Sequence, residues 1–477
     1  MEKEYGKVTP ATIRALERIV GEKAVISGDP EKLRPYGSDI LALLHGKGRT
    51  PEVVVKPESA QQVSEIMKLA TRETIPVTPR GAGSGLAGAA VPTHGGISLS
   101  LERMNRILEV DRVDRVAVVE PGVVTSDLCR RVAEEGLMYA GYPMSTESSF
   151  IGGNVATNAG GGKVVRYGNT RRHVLGLEVV LASGEVIEVG GRFRKSTWGY
   201  DLLDLMIGSE GTLGIFTRIV LNLIAAPGKI MDMLVPFPDP EAAVRAVAEV
   251  ILSEGVIPET VEFMDRICFM ESSKHHGIAL PIKDSDRAGA FLIIQLQGET
   301  QEELEELCRK AGESCLAEGA IDVLIAVSPS QSRDIWKIRE HYAEGVARAG
   351  PNAYFTSDIV VPFSKVPEMM RELERMGREY GIAIPTVGHI ADGNLHSGLF
   401  KPEGVSVEDW PEKAEEIFDE MSRIALELGG AGSGEHGVGT LKRSLFLKTK
   451  TETELALMRG IKQVFDPKGI LNPGTIL

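Results

Sequence analysis

The chain is poor in cysteine. Its four, Cys129, Cys268, Cys308 and Cys315, include no C-x-x-C pair, so the sequence holds no ligand set for an iron–sulfur cluster of its own. Cys308 and Cys315 stand seven apart on a predicted helix and read as small core residues. Long apolar runs are missing as well. Nothing approaches the ~20 residues of a transmembrane helix, and the start Met1-Glu2-Lys3-Glu4 has no signal-peptide character. A cytoplasmic protein is expected, with peripheral attachment to a membrane left open. Positive charge is in deficit, 53 lysines and arginines against 67 aspartates and glutamates, for a net charge of −14. That argues against a nucleic-acid partner, which calls for a basic surface. It also means that an acidic ligand must be met by positive groups placed locally, against the overall field. Hydrophobic residues at 43% and charged residues at 25% describe a globular chain, and 477 residues exceed one compact core. Two or three units are expected.

Glycine is what the chain has in concentrated form. PRGAGSGLAGAAVP, Pro79 to Pro92, carries Gly81, Gly83, Gly85 and Gly88. Such a segment lets backbone N–H groups approach an anion closely, and a phosphate or diphosphate is the natural ligand. Pro79, Arg80, Gly81, Ala82, Gly83, Ser84, Gly85 and Leu86 are the candidate binding residues. The run Gly83 to Gly88 also satisfies the G-x-G-x-x-G spacing, with Glu102 at roughly the right distance downstream. A dinucleotide site of that kind must open a helix, and Pro92 with Gly95-Gly96 interrupts any helix there. Strand, glycine loop, strand is the expectation, over about 75–79 and 97–101. Two further segments have the same character: IGGNVATNAGGG, Ile151 to Gly162, and GSEGTLGI, Gly208 to Ile215.

The remaining organisation is an alternation of strands and helices. Thr9-Pro10 starts a helix, Glu52 to Lys56 reads as a strand, and Ser59 with Gln62 forms a capping box. A boundary falls at Ala226-Pro227-Gly228. Strands are then expected at 230–235, 260–264, 291–297 and 323–327, with helices starting at Asp239-Pro240 and Thr300. The pattern repeats near 354–361, 366–380 and 383–391. Units of this size suggest a ferredoxin-like sheet with helices on one side.

GHIADGNLH, Gly388 to His396, reads as a hairpin on a two-residue Asp392-Gly393 turn. Counted outward, His389 then faces His396, with Cβ atoms about 4.5–5.5 Å apart. Two imidazoles so placed could hold one metal ion; one core histidine and one surface histidine is the other reading. GEHGVG, Gly434 to Gly439, offers Glu435 as a third ligand with His436 beside it. Two histidines and a carboxylate with an open position suit zinc and accept manganese or iron.

The three glycine segments, in this order, together with the ending FDPKGILNPGTIL from Phe465 to Leu477, resemble the p-cresol methylhydroxylase/vanillyl-alcohol oxidase (PCMH/VAO) superfamily of FAD enzymes. The tail resembles the branch that oxidises D-2-hydroxy acids, which includes D-lactate dehydrogenases and glycolate oxidase flavin subunits. The resemblance implies an α+β fold: a two-part FAD-binding domain over 1–227, with an N-terminal helical arm to about 47. A ferredoxin-like substrate cap over 228–440 follows, and 441–477 return to the first domain. It adds Gly152, Gly153, Asn154, Thr157, Asn158, Gly161, Glu210, Gly214, Ile215 and Asn472 to the candidates for non-covalent FAD.

By motif the resemblance makes His389, His396 and Glu435 metal ligands, His436 the base, and Arg339 of IWKIRE the grip on the substrate carboxylate. Hydroxyglutarate enzymes place a lysine before the aspartate of a motif like TSDIVVP. Here Thr356 and Ser357 precede Asp358, which favours a monocarboxylate such as D-lactate or glycolate. Electrons must leave to a separate acceptor or partner redox subunit, and a homodimer stays open. The alternatives are a flavin-bearing electron-transfer subunit and a non-redox enzyme like alkyl-dihydroxyacetonephosphate synthase, whose histidine run His275-His276 faintly resembles. These two histidines and His173 are otherwise read as having no special role.

Overall fold

The computed structural model describes residues 4–252, 254–350, 352–355 and 357–477, so Met1 to Lys3, Ser253, Pro351 and Thr356 lie outside the described residues. The chain forms two compact units. The first contains the residues up to Gly160, Asn169–Ala226 and Glu435–Leu477; the second contains Gly161–Gly168 and Pro227–Gly434.

In the first unit a four-stranded sheet runs in the order Val25–Ser27, Val53–Val55, Ile97–Ser100, Val77–Arg80. Val77 to Arg80 pair in parallel with Ile97 to Ser100. Parallel neighbours need a crossover connection of a dozen or more residues, and residues 81–96 supply it as turns and bends. The glycine spacing therefore opens no helix. Two helices cover this sheet. Pro10–Val20 is capped by Thr9, and Ala60–Glu73 by Ser59, whose hydroxyl accepts from the Gln62 N–H. The C-terminal tail joins the sheet at Val77, where the Asn472 N–H donates to the Val77 carbonyl at 2.8 Å. Ile66, Met67, Val77, Ile97, Leu99, Ile470 and Leu471 are fully buried in this core. Side chains so buried contribute about 1.5–3 kcal/mol each.

A second, antiparallel sheet has the order Ile107–Asp111, Val116–Val119, Ile215–Asn222, Val174–Val180, Val186–Gly190. The helix Thr125–Ala133 packs on it through Leu128 and Val132. The second glycine segment differs from a plain loop: Ile151–Thr157 is helical and ends on Asn158 at φ 52. Ile151 and Val155 reach the core from one side of this turn. Gly152 lies against Pro121, where a Cβ would not fit, and Gly153 faces open space.

The second unit is built on a sheet in the order Leu324–Ile325, Lys229–Phe237, Ala290–Gly298, Thr260–Asp265, Thr386–His389, Asn394–Leu399, Tyr354–Phe355. Its first four strands stand fourth, first, third, second in chain order, the ferredoxin-like arrangement. The strand expected over 323–327 shrinks to two residues. Helices on one side only is also corrected. Pro240–Leu252 and Gln301–Ala317 pack on one face through Ala243, Val247, Leu304 and Cys308. Arg266–His276, Pro329–Glu340 and Tyr342–Ala349 cover the other through Phe269, Ile335, Ile338 and Val346. The central strand explains why: Ala290 to Leu296 is buried at every position, so both faces need cover. Among the described residues no helix is long and apolar enough to cross a membrane.

Candidate functional site

The three glycine segments meet in the first unit. A Cβ on Gly81 would stand 3.6 Å from the Gly153 Cα, and one on Gly211 would stand 3.1 Å from Pro79. Nothing lies within 4 Å of a Cβ built on Gly153, so the space above it is open. The first loop is held in shape from below. Asp39 accepts from the Gly88 N–H at 2.6 Å and the Ala42 N–H at 2.9 Å. Burial pushes the Asp39 carboxyl up, against the pull of those two donors. Arg80 has a supporting place, donating to the carbonyls of Ser38 at 2.7 Å and Pro35 at 3.0 Å. Gly83 and Gly88 both have φ +78, and a Cβ on Gly83 would run into the Arg80 guanidinium. Residues 81–86, which include Ala82, Ser84, Gly85 and Leu86, remain half-buried.

The other candidates of this cradle are mostly tied to it. Asn154 Nδ2 donates to Thr125 Oγ1 at 2.8 Å, Thr157 Oγ1 donates to the Gly153 carbonyl at 3.1 Å, and Asn158 Oδ1 accepts from the Arg171 N–H at 2.9 Å. Gly214 leaves room for Val179, and Ile215 begins a buried strand. Asn472 Nδ2 donates to the carbonyls of Ala89 and Glu210, both at 2.8 Å. Asn472 Oδ1 and Ser209 Oγ are buried and lack a partner among the described residues. Buried polar atoms without partners are costly, and open space with orphaned polar atoms beside a glycine cradle fits a bound cofactor. Gly161 differs from the rest by lying in the second unit.

The loop after Gly434 is stitched onto the same cradle. Glu210, at φ 50, accepts from the N–H groups of Val438 at 2.8 Å and Gly439 at 2.7 Å. Burial pushes its carboxyl up to about 7, although both bonds favour the charged form. Thr440 and Leu441 both donate their N–H to the Ala87 carbonyl at 3.0 Å. His436 is thereby carried on a loop fixed to the first and third glycine segments. Its Nε2 lies 3.6 Å from Glu435 Oε1.

In the second unit the hairpin register differs from the expected one. His389 pairs with Asn394, and His396 pairs with Val387. Ile390–Asp392 forms a 3₁₀ turn closed by Gly393 at φ 73, so the connection holds four residues where two were expected. The displacement is two residues, and side chains alternate with period two. Both imidazoles therefore keep to one face, with ring centroids 5.4 Å apart. Each has a carboxylate at Nδ1: Glu262 Oε1 at 2.7 Å from His389, Asp358 Oδ1 at 3.7 Å from His396. The bond to Glu262 favours the His389 tautomer with the lone pair on Nε2, which is the state that ligates a metal.

Arg339 joins this arrangement through the same carboxylate. Its Nε and Nη2 lie 2.9 and 2.7 Å from Glu262 Oε2. Glu262 is fully buried; burial raises its pKa, but Arg339 and then His389 outweigh it and hold the carboxyl below its usual value. Sequence reasoning passed over Glu262, although an acid between Val261 and Phe263 in the strand TVEFMD was the signal. Asp358 was passed over as a working residue too. It accepts from Asn394 Nδ2 at 3.0 Å, Ser433 Oγ at 2.6 Å and the Gly434 N–H at 3.1 Å.

Fold and cradle together define a flavoprotein with a two-part nucleotide-binding unit and a ferredoxin-like second unit. Known proteins agree. The family described as FAD linked oxidases, C-terminal domain, matches residues 227–476, and FAD binding domain matches 51–190. A D-lactate dehydrogenase of Anaerostipes hadrus is 37% identical over 100% of this chain and 99% of its own. Glycolate oxidase subunit GlcD of Bacillus subtilis is 36% identical over 89% of this chain and 88% of its own. A p-cresol methylhydroxylase structure superposes with a TM-score of 0.77 at 18% identity, covering 97% of this chain and 95% of that one. The chain belongs to the FAD-linked oxidase family, with the PCMH/VAO fold, and is an FAD-linked oxidoreductase.

Proposed function

We propose that the protein oxidises a small D-2-hydroxy acid, D-lactate or glycolate in preference, to the 2-keto acid. The observation that carries this reading is Glu262, which binds the arginine suited to a carboxylate and a histidine suited to a metal at once. Arg339 holds the substrate carboxylate in the plane of its guanidinium, which Glu262 fixes through Nε and Nη2. His389 and His396 offer Nε2 to a divalent ion, and Glu435 is the third ligand by motif. Zinc suits this donor set best, with manganese or iron acceptable, and such an ion lowers the pKa of a bound hydroxyl by Lewis acidity. His436 takes the hydroxyl proton. The glycine cradle would hold FAD, which would supply the two-electron acceptor for the Cα hydrogen and its electron pair, and loss of that hydride leaves the keto acid. Arg339 orients that hydrogen by fixing the carboxylate.

A monocarboxylate is favoured because Ser357, directly before Asp358, is a small buried residue where a second carboxylate would need a cation. The electrons then pass to a separate acceptor. Steady-state assays of the FAD-loaded protein with a dye acceptor test the reading across D-lactate, L-lactate, glycolate and D-2-hydroxyglutarate. Pyruvate or glyoxylate forming with preference for the D form is expected. Turnover of the dicarboxylate alone would overturn the substrate class.

A further inference from the structure

Another histidine group in the second unit takes no part in this chemistry. His275 and His276 end the Arg266–His276 helix, which closes on Gly277 at φ 64. Glu344 sits in the first turn of Tyr342–Ala349, directly after His341 as N-cap. His275 Nε2 is 3.3 Å from Glu344 Oε2, and His341 Nδ1 is 3.3 Å from Glu344 Oε1. The His275 and His276 rings meet edge to face at 4.6 Å, and those of His276 and His341 at 5.7 Å. One ligand atom from each of His275, His276 and Glu344 lies within 4.8 Å of the other two. Small side-chain shifts would close that span around an ion whose bonds to nitrogen and oxygen are about 2.0–2.2 Å.

Two further facts point to a cation. His276 Nε2 and His275 Nδ1 are closed off from solvent and have no hydrogen-bond partner among the described residues. An orphaned polar atom of that kind is costly, and a metal on the lone pair removes the cost. The spacing is also preset by the helices. A Cβ on Gly345 would stand 2.7 Å from the Glu271 carbonyl oxygen and the Ser272 backbone, so only glycine permits this approach.

We propose that His275, His276 and Glu344 form a transition-metal site of the zinc class, with His341 on the second oxygen of Glu344. Imidazoles with one carboxylate suit zinc, copper, nickel and cobalt, whereas calcium and magnesium call for oxygen ligands. The ion would staple the end of one helix to the start of the next. The first of these helices is also tied to the segment bearing Arg339, since Ser272 Oγ donates to the Ile338 carbonyl at 2.7 Å. The site shares no ligand with His389 and His396 and does not rest on the reading given to them.

The test uses the full FAD-loaded chain, stripped with chelator and given zinc chloride alone. Zinc content by elemental analysis and the zinc-dependent rise in melting temperature are measured for wild type, His276→Ala and Glu344→Gln. Both variants are expected to bind one zinc fewer than wild type and to lose most of the thermal shift. Glu344 is largely exposed, so Glu344→Gln remains informative if His276→Ala disturbs packing. Wild-type zinc content and an unchanged shift in both variants would overturn the site. His389→Ala separates the two assignments: it should keep this zinc. If the His389 pair holds no ion, its zinc content will equal that of wild type, which leaves the present site standing.

Discussion

Glu262 holds Arg339 through one carboxylate oxygen and His389 through the other, while Thr260 Oγ1 donates to it at 3.1 Å. One buried charge thus sets the position of two side chains proposed for the site. Glu262→Gln keeps the volume and removes the charge, leaving Arg339 buried without its counter-ion, at a cost of about 3–5 kcal/mol. Loss of an outer carboxylate also weakens metal binding, by about 10–100-fold. The variant should melt earlier, hold less metal, show a raised KM and keep its FAD. Calorimetry, elemental analysis, steady-state assays and flavin absorbance measure all four, and unchanged metal content and KM would remove Glu262 from the site. At this scale the sequence was legible only in part. Histidines and an arginine advertise chemistry by type, whereas Glu262 and Asp358 acquire theirs from neighbours that lie far away in the chain.

At the scale of elements, the crossover from Val77–Arg80 to Ile97–Ser100 was readable because proline and paired glycines forbid the helix that a dinucleotide fingerprint requires. The hairpin was readable in its face but not in its register. Asp392-Gly393 suits a two-residue turn, yet Gly393 instead closes a 3₁₀ turn, and its N–H donates to the Ile390 carbonyl at 3.0 Å. The helix at Ile151–Thr157 was hidden by its glycines, which carry low helical propensity on their own; the buried Ile151 and Val155 and the αL Asn158 decide it. The first glycine loop gives the sharpest prediction here. Gly83→Val places a branched side chain at φ +78 against the anchored Arg80, so the purified variant should be folded by circular dichroism and nearly colourless. A variant with full flavin absorbance would mean that this loop does not cradle the diphosphate.

The molecule as a whole mixes two architectures whose strand order no local pattern reveals; the return of Leu471 beside Val77, nearly four hundred residues later, is a case of this. Within the first unit, Glu210 joins the third glycine segment to the loop bearing His436. Its folded pKa of about 7 stands above its ordinary 4.5, so the folded state holds the proton more tightly. The resulting stability is full below about pH 4.5 and is lost as pH rises through about 7. The shift corresponds to about 3 kcal/mol. Urea midpoints of the FAD-loaded protein should therefore show a decline from about pH 5 to about pH 8 that Glu210→Gln flattens; parallel profiles would contradict it.

The central claim is that His436 draws the hydroxyl proton as the Cα hydrogen of a D-2-hydroxy acid leaves for the flavin. Anaerobic stopped-flow mixing of D-lactate with wild type and with His436→Ala, both loaded with FAD, tests it most directly. Wild type should bleach its flavin in one turnover. His436→Ala should keep FAD and still bind pyruvate, and should bleach about 10²–10⁴-fold more slowly, the worth of a positioned base. A wild-type flavin that stays oxidised with every D-2-hydroxy acid, or a variant that bleaches at the wild-type rate, would contradict the account.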